Sequence, residues 1–233
     1  MSLEALVFDV DGTLAETEEA HRAAFNATFA AWDLGWHWSQ ADYRELLKTT
    51  GGKERIKAFQ AGLDQSARYL SDAEIAQFHT EKTKAYTDIL ARGELALRPG
   101  VDGLIAAARA AGLRLAVATT TNLPNVEALC QCCWGKPAAE VFEVIAAGDQ
   151  VKAKKPAPDV FELALQRLGI AAESGLAFED SRNGVLSAKG AGLRVLVAPS
   201  AYTNRDDFSE ADYVVPTLEA AHWPEALRRA VVG

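Results

Sequence analysis

From Leu97 onward, short apolar runs alternate with stretches of helical periodicity, and this alternation leaves the chain few ways to fold. Residues 113–118, 144–147, 176–179, 195–198 and 213–215 read as strands, preceded by an opening apolar run at Leu6-Val7-Phe8. Between them, residues 101–111, 125–133, 158–168, 183–191 and 206–210 read as helices. Such runs suit strands buried on both faces, so the expected fold class is α/β, a doubly wound, Rossmann-like parallel sheet. Residues 16–92 break the pattern: helical spacing governs 18–32, 39–47, 53–62 and 71–90, and no strand is expected there. Ser39 and Ser71 read as N-caps, with Glu74 completing a capping box after Ser71. The expected division is therefore an α/β core of residues 1–15 and 93–233, interrupted by an all-helical domain at 16–92. Trp32, Trp36 and Trp38 are expected to pack between helices of that insert.

Polar residues gather where the strands end. The first run ends in Asp9-Val10-Asp11-Gly12-Thr13, two acids one residue apart and then a turn. The second ends in Thr119-Thr120-Thr121-Asn122, the third leads to Asp149 and Lys152-Ala153-Lys154-Lys155-Pro156, and the fourth ends in Glu179-Asp180-Ser181. In an open parallel sheet the carboxyl ends of the strands line one crevice. Two carboxylates as close as Asp9 and Asp11 repel, so the site needs a proton, a cation or both. One solution keeps Asp9 ionised as a nucleophile beside a metal and lets Asp11 carry a proton as general acid, then base. Thr119, with the backbone N–H groups beside it at Thr120, would hold phosphoryl oxygens at a helix start. A lysine would add fixed positive charge, although spacing does not choose among Lys152, Lys154 and Lys155. Asp180 with Asp9 suits a hard cation such as Mg²⁺, and Glu179 would ligate it or orient a water.

The remaining composition narrows the class. Of 233 residues, 49% are apolar and 24% charged, the balance of a soluble globular protein. No apolar run is long enough to span a membrane and no secretory pattern opens the chain, so a cytoplasmic protein with no membrane partner is expected. Met1-Ser2-Leu3 reads as including a cloning scar and is set aside. A net charge of −8 argues against a nucleic-acid partner. Cys130, Cys132 and Cys133 lack a fourth ligand and zinc spacing, and read as small apolar residues at a helix end. A monomer is expected.

Four patterns in this order, Phe8-Asp9-Val10-Asp11-Gly12-Thr13, Ala118-Thr119-Thr120-Thr121, Lys155-Pro156 and Glu179-Asp180, resemble the haloacid dehalogenase superfamily over essentially the whole chain. The resemblance implies that Asp9 forms an aspartyl-phosphate and that Asp11 protonates the leaving oxygen and later activates water. It also implies that Thr119 and Lys155 bind the phosphoryl group, and that Asp9, the Asp11 carbonyl and Asp180 hold Mg²⁺. The insert after the first motif looks like the cap of the phosphoglucomutase-like branch.

Within that cap, Lys48-Thr49-Thr50-Gly51-Gly52-Lys53-Glu54-Arg55 fails as a nucleotide P-loop, yet its hydroxyls, glycines and cations make an anion-binding nest. A second phosphate site there would select a sugar bisphosphate. Taken with residues 14–21, the segment resembles phosphatases associated with Calvin-cycle operons, which implies xylulose-1,5-bisphosphate as substrate. Glu16 and His21 would then face the sugar hydroxyls. Three other readings stay open: a β-phosphoglucomutase-type mutase, a broad sugar-phosphate or phosphoglycolate phosphatase, and a non-catalytic module on the same fold.

Overall fold

The computed structural model describes residues 3–64 and 67–232; Met1 and Ser2 of the expected scar lie outside the described residues. Its sheet has six parallel strands in the order β3-β2-β1-β4-β5-β6. These are β1 (Ala5–Phe8), β2 (Arg114–Ala118), β3 (Val144–Ala146), β4 (Gly175–Glu179), β5 (Arg194–Val197) and β6 (Tyr213–Val214). The chain winds outward from β1 first one way and then the other, so β1 sits at the point where strand order reverses. Its residues alternate between two cores: Leu6 and Phe8 enter one cluster, Ala5 and Val7 the other. Helices cover both faces, which explains why the strands read as unbroken apolar runs.

Between β1 and the rest of the sheet lie four helices: α1 (Glu18–Ala31), α2 (Gln40–Leu46), α3 (Gly52–Ala61) and α4 (Asp72–Leu90). No strand occurs among the described residues of this stretch. Both Ser39 and Ser71 cap their helices in full capping boxes, with Asp42 and Glu74 as the reciprocal acids. The helical lobe has its own aromatic core, in which Trp38 lies 4.7 Å from Phe25 and 4.8 Å from Phe29 between ring centroids. All three tryptophans of residues 32–38 pack in or against that core.

The core helices are α5 (Val101–Ala110), α6 (Leu123–Trp134), α7 (Ala138–Val141), α8 (Asp159–Leu168), α9 (Arg182–Gly190) and α10 (Glu225–Val232). The three cysteines lie along α6 as free thiols, and burial pushes those of Cys130 and Cys133 up to about 12. One expected helix does not form. Residues 206–208 form a bend and an irregular stretch and 209–210 a turn, because Asp206 accepts from the Arg182 N–H while Asp207 and Glu210 engage the Arg182 guanidinium. These tertiary contacts outweigh the propensity of a five-residue segment.

Candidate active site

The β1 strand carries Asp9 to the sheet edge, where its N–H still bonds the Phe178 carbonyl at 2.9 Å. A tight turn follows, with the Thr13 and Leu14 amides both donating to Val10 O. Gly12 has φ +83°, and a Cβ there would overlap the Asp180 carboxylate, so glycine is required twice over. Gly184 has a matching role at the start of α9, where any side chain would meet the Glu179 carboxylate. These two glycines let Asp180 and Glu179 close in beneath the crevice.

Of the three nearby lysines, Lys155 turns inward. Its Nζ donates to Asp9 Oδ1 at 2.7 Å and to Glu179 Oε1 at 2.6 Å, while Lys154 bonds the Gly148 carbonyl instead. The other oxygen of Asp9 accepts from the Thr13 hydroxyl at 3.3 Å. Asp9, Glu179 and Asp180 are buried and present oxygens within 4.8 Å of one another. Burial raises the Asp9 carboxyl despite Lys155, lifts Glu179 to about 7, and raises Asp180 well above the usual carboxylate range. Burial likewise disfavours the charge of Lys155, but Asp9 and Glu179 outweigh it and hold its ammonium form firmly. Three acids face one lysine. The deficit of positive charge, in an all-oxygen donor set at a sheet edge, fits a hard divalent cation.

A different set of partners holds Asp11. Its Oδ1 accepts from the Thr17 hydroxyl at 2.6 Å and from His21 Nε2 at 2.9 Å, and Lys82 Nζ lies 2.7 Å from His21 Nδ1. An ammonium has only donors, so Nδ1 accepts and the proton of a neutral ring sits on Nε2, facing Asp11. Burial opposes the Asp11 charge, but His21, Thr17 and Lys82 outweigh it and hold the carboxyl at about 2. Burial and Lys82 push His21 down to about 4, so the imidazole acts as a hydrogen-bond donor. Lys82 itself is brought down to about 7 by burial. His21 stacks on Tyr86 at 3.9 Å. His21 lines the cavity, with both of its ring nitrogens engaged within the protein.

Between the sheet edge and the helical lobe lies a cavity of about 780 Å³. Asp9, Asp11, Thr120, Lys155 and Asp180 form its floor. Lys48, Thr50, Gly51, Gly52, Lys53 and Arg55 contribute to the opposite wall. Arg55 is buried, its Nη1 donating to the Tyr43 hydroxyl at 3.0 Å and its Nε to Leu46 O at 3.2 Å. Thr50 Oγ1 and Lys48 O accept from Asn183 Nδ2 at 3.0 and 3.1 Å, joining the lobe to the start of α9. Four expected residues stand off the wall, among them Glu179, which is buried beneath the floor with Lys155 Nζ on its Oε1. Thr119 is buried behind it with its hydroxyl accepting from Thr121 N–H at 3.2 Å, so Thr120 and Thr121 present the surface. Thr49 does not line the cavity, and Glu16 turns to Arg98 Nε at 3.2 Å. Glu16 is thereby corrected as a sugar contact, since its carboxylate is committed to the linker between lobe and sheet.

Glu18, the first residue of α1, occupies the place foreseen for Glu16. It lines the cavity, accepts from the Tyr43 hydroxyl at 2.9 Å, and is raised to about 7 by burial against the pull of Arg55. Between about pH 4.5 and 7 the folded chain therefore holds a proton there that the unfolded chain has released. Stability contributed at this position falls as pH rises through that window. Glu18→Gln is expected to gain in melting temperature relative to the parent between pH 5 and pH 7.5; a constant difference would contradict the raised carboxyl.

Glu18 and Lys82 were legible in principle. Glu18, His21 and Phe25 share a helical face, as do Ile75, Phe78, Lys82 and Tyr86, so each charge interrupts an otherwise buried stripe. His79, pushed down to about 3 by burial with Lys82 and Lys53 nearby, also lines the cavity, and Gly52 abuts it.

Comparison with known proteins agrees with this geometry. The family model for haloacid dehalogenase-like hydrolase matches residues 3–192. The chain is 58% identical over 221 residues to Protein CbbY of Rhodobacter capsulatus, covering 95% of this chain and 96% of that one. The crystal structure of CbbY from Rhodobacter sphaeroides in complex with phosphate superposes with a TM-score of 0.92 at 53% identity, covering 97% of this chain and 99% of that one. An aspartate-to-asparagine variant of the same R. sphaeroides protein, in complex with xylulose-1,5-bisphosphate, gives a TM-score of 0.90 at 54% identity and covers 94% and 96%. A six-stranded parallel sheet with paired acids just beyond the end of β1, together with identity above one half along nearly the whole length, places this chain in the haloacid dehalogenase-like hydrolase family, among the CbbY proteins.

Proposed function

We propose that this chain is a Mg²⁺-dependent phosphatase of sugar bisphosphates, with xylulose-1,5-bisphosphate as its substrate. The observation that carries the reading is the arrangement of Asp9 and its companions on the cavity floor, facing a cationic wall on the helical lobe. The R. sphaeroides relative, whose complex with xylulose-1,5-bisphosphate is known, supports the choice of sugar. Residues 16–92 would act as the cap that selects substrate, and residues 1–15 and 93–233 as the catalytic core. No helix among the described residues is long and apolar enough to cross a membrane.

Each residue has a chemical task in this reading. Asp9, with one oxygen fixed by Lys155, attacks phosphorus through the other; the Asp9–phosphorus bond forms as the phosphorus–sugar oxygen bond breaks. Asp11 gives its proton to that leaving oxygen and then takes one from the water that hydrolyses the aspartyl-phosphate. With the cavity free of substrate Asp11 is a carboxylate, the state the second half requires. An incoming phosphate dianion raises it by like-charge repulsion, the state the first half requires. The Thr120 and Thr121 hydroxyls and the Thr120 amide would hold the phosphoryl oxygens, with Thr119 shaping that loop through the Thr121 N–H, and Lys155 balances their charge. Asp9, Asp180, Glu179 and the Asp11 carbonyl would hold Mg²⁺, which supplies electrostatic stabilisation of the transferring group.

Phosphate release with Mg²⁺, compared across xylulose-1,5-bisphosphate, ribulose-1,5-bisphosphate, β-glucose-1-phosphate and phosphoglycolate, tests the proposal. A strong preference for xylulose-1,5-bisphosphate is expected; glucose-6-phosphate formed from the glucose ester would make it a mutase. Lys53→Ala is expected to raise KM for bisphosphates about tenfold, the size of one charge-assisted hydrogen bond, with little change for monophosphates. Equal losses on both classes would discard the second phosphate site.

A further inference from the structure

The loop after β5 belongs to none of the four motifs, yet residues 200–204 touch both halves of the molecule. On the inner side, the Thr203 hydroxyl lies 2.6 Å from the Asp180 carbonyl and 3.1 Å from Asp180 Oδ2. It accepts from Ser200 N–H at 2.9 Å and lies 2.9 Å from Ser200 Oγ. A hydroxyl has one proton and two lone pairs. Ser200 N–H takes one lone pair, and the Thr203 proton is directed at Asp180. Ser200, Thr203 and Asp180 are all buried, and the Asp180 carboxylate is packed against Gly12 on its other side. Its orientation is thus set by the Gly12 backbone and by two hydroxyls of the loop, Thr203 and Ser200, both of which bond to Asp180.

On the outer side, the same loop is gripped by the helical lobe. Arg44 of α2 donates to Ala201 O at 2.9 Å, to Tyr202 O at 2.5 Å and to Asn204 Oδ1 at 3.3 Å. Its guanidinium also lies 5.3 Å from the centre of the Tyr202 ring. That ring meets Tyr43 edge-on at 5.8 Å, and its hydroxyl bonds Glu19. Tyr202 is buried as a member of the lobe's aromatic core, although it comes from the sheet domain. The carbonyls of residues 201 and 202, immediately before Thr203, are therefore held by the lobe.

We propose that residues 200–204 form a strap that couples closure of the cap to the placement of Asp180, with Thr203 as the positioning residue and Arg44 and Tyr202 as the anchors on the cap. The proposal goes beyond the phosphatase reading and rests on it only for the identity of the cation. A carboxylate aimed by a fixed hydroxyl binds a cation more tightly than one free to rotate. Linkage is reciprocal, so the cap that tightens the strap strengthens cation binding, and a bound cation favours the closed cap to the same degree. Without Arg44 the two events separate.

Calorimetric titration of the whole protein with Mg²⁺, set beside the Mg²⁺ requirement for phosphate release at saturating substrate, tests the strap. Thr203→Val is expected to weaken calorimetric Mg²⁺ affinity about tenfold, the lower end for loss of a group that orients a ligand. Thr203→Ser, which keeps the hydroxyl, is expected to remain within about twofold of the parent. Arg44→Ala is expected to leave Mg²⁺ affinity in the absence of substrate within about twofold and to weaken the requirement during turnover about fivefold, the lower end of allosteric coupling. Should the valine variant fail to fold, Thr203→Ala is read in the same way. Parental Mg²⁺ affinity in Thr203→Val would overturn the strap alone. So would an Arg44→Ala variant whose KM rises while its Mg²⁺ requirement stays put. A parent protein that binds no Mg²⁺ would overturn the cation reading and the strap with it.

Discussion

Asp9→Asn is expected to lower phosphate release on the order of 10⁵-fold, the scale seen when a nucleophile that works as part of a unit is removed. An amide of the same shape cannot form the phosphoryl bond, while every other group on the floor stays in place. Stability should not suffer. Asp9, Glu179 and Asp180 crowd three acids around one lysine, and taking away one negative charge relieves repulsion while Lys155 keeps Glu179 at 2.6 Å. The melting temperature without Mg²⁺ should match or exceed that of the parent. Xylulose-1,5-bisphosphate should still bind, as it does to an aspartate-to-asparagine variant of the R. sphaeroides relative. Phosphate release within a hundredfold of the parent, at an unchanged melting temperature, would remove the covalent mechanism.

Lys155→Met should do the opposite to stability. Lys155 is buried, contacts both Asp9 and Glu179, and lies 4.9 Å from the centre of the Phe161 ring. Methionine fills similar space but leaves two buried carboxylates without their cation, a loss of about 3–5 kcal/mol when one partner of a buried pair is removed. For a chain of this length that amounts to a fall on the order of 10 °C in melting temperature. Adding Glu179→Gln to the variant should recover a substantial part of the fall, because the uncompensated charge rather than the lost contact is what costs stability. A single variant that melts with the parent would mean that the acids are already protonated in the folded protein. A double variant no better than the single would mean that Glu179 is not the charge at fault.

Much of the fold was written along the chain. Strands buried on both faces show as apolar runs wherever they lie in the sheet, and helix starts show as capping boxes such as Ser71 with Glu74, because both signals are local. The floor of the site was legible for a related reason: in a parallel sheet the strand ends share one edge, so Asp9, Asp11, Thr120, Glu179 and Asp180 could be gathered without knowing strand order. The choice of Lys155 over its neighbours was not local. It depends on which ammonium the acids of β1 and β4 can reach. Residues 206–210 misled for the same reason, since Arg182, far off in sequence, claims their acids.

The layered architecture, the helical insert and the gathering of acids at the strand ends follow from hydrophobic period, caps and strand-end residues, all of which act over a few positions. How the two parts meet depends on contacts between elements far apart along the chain. Glu16 turns outward to Arg98 while Glu18 faces the cavity, His21 bridges Asp11 and Lys82, and Tyr202 crosses from the sheet into the cap's core. Each of these pairings joins groups from separate elements. Burial then fixes their charges, and no spacing along the chain encodes burial at a boundary between two packed bodies.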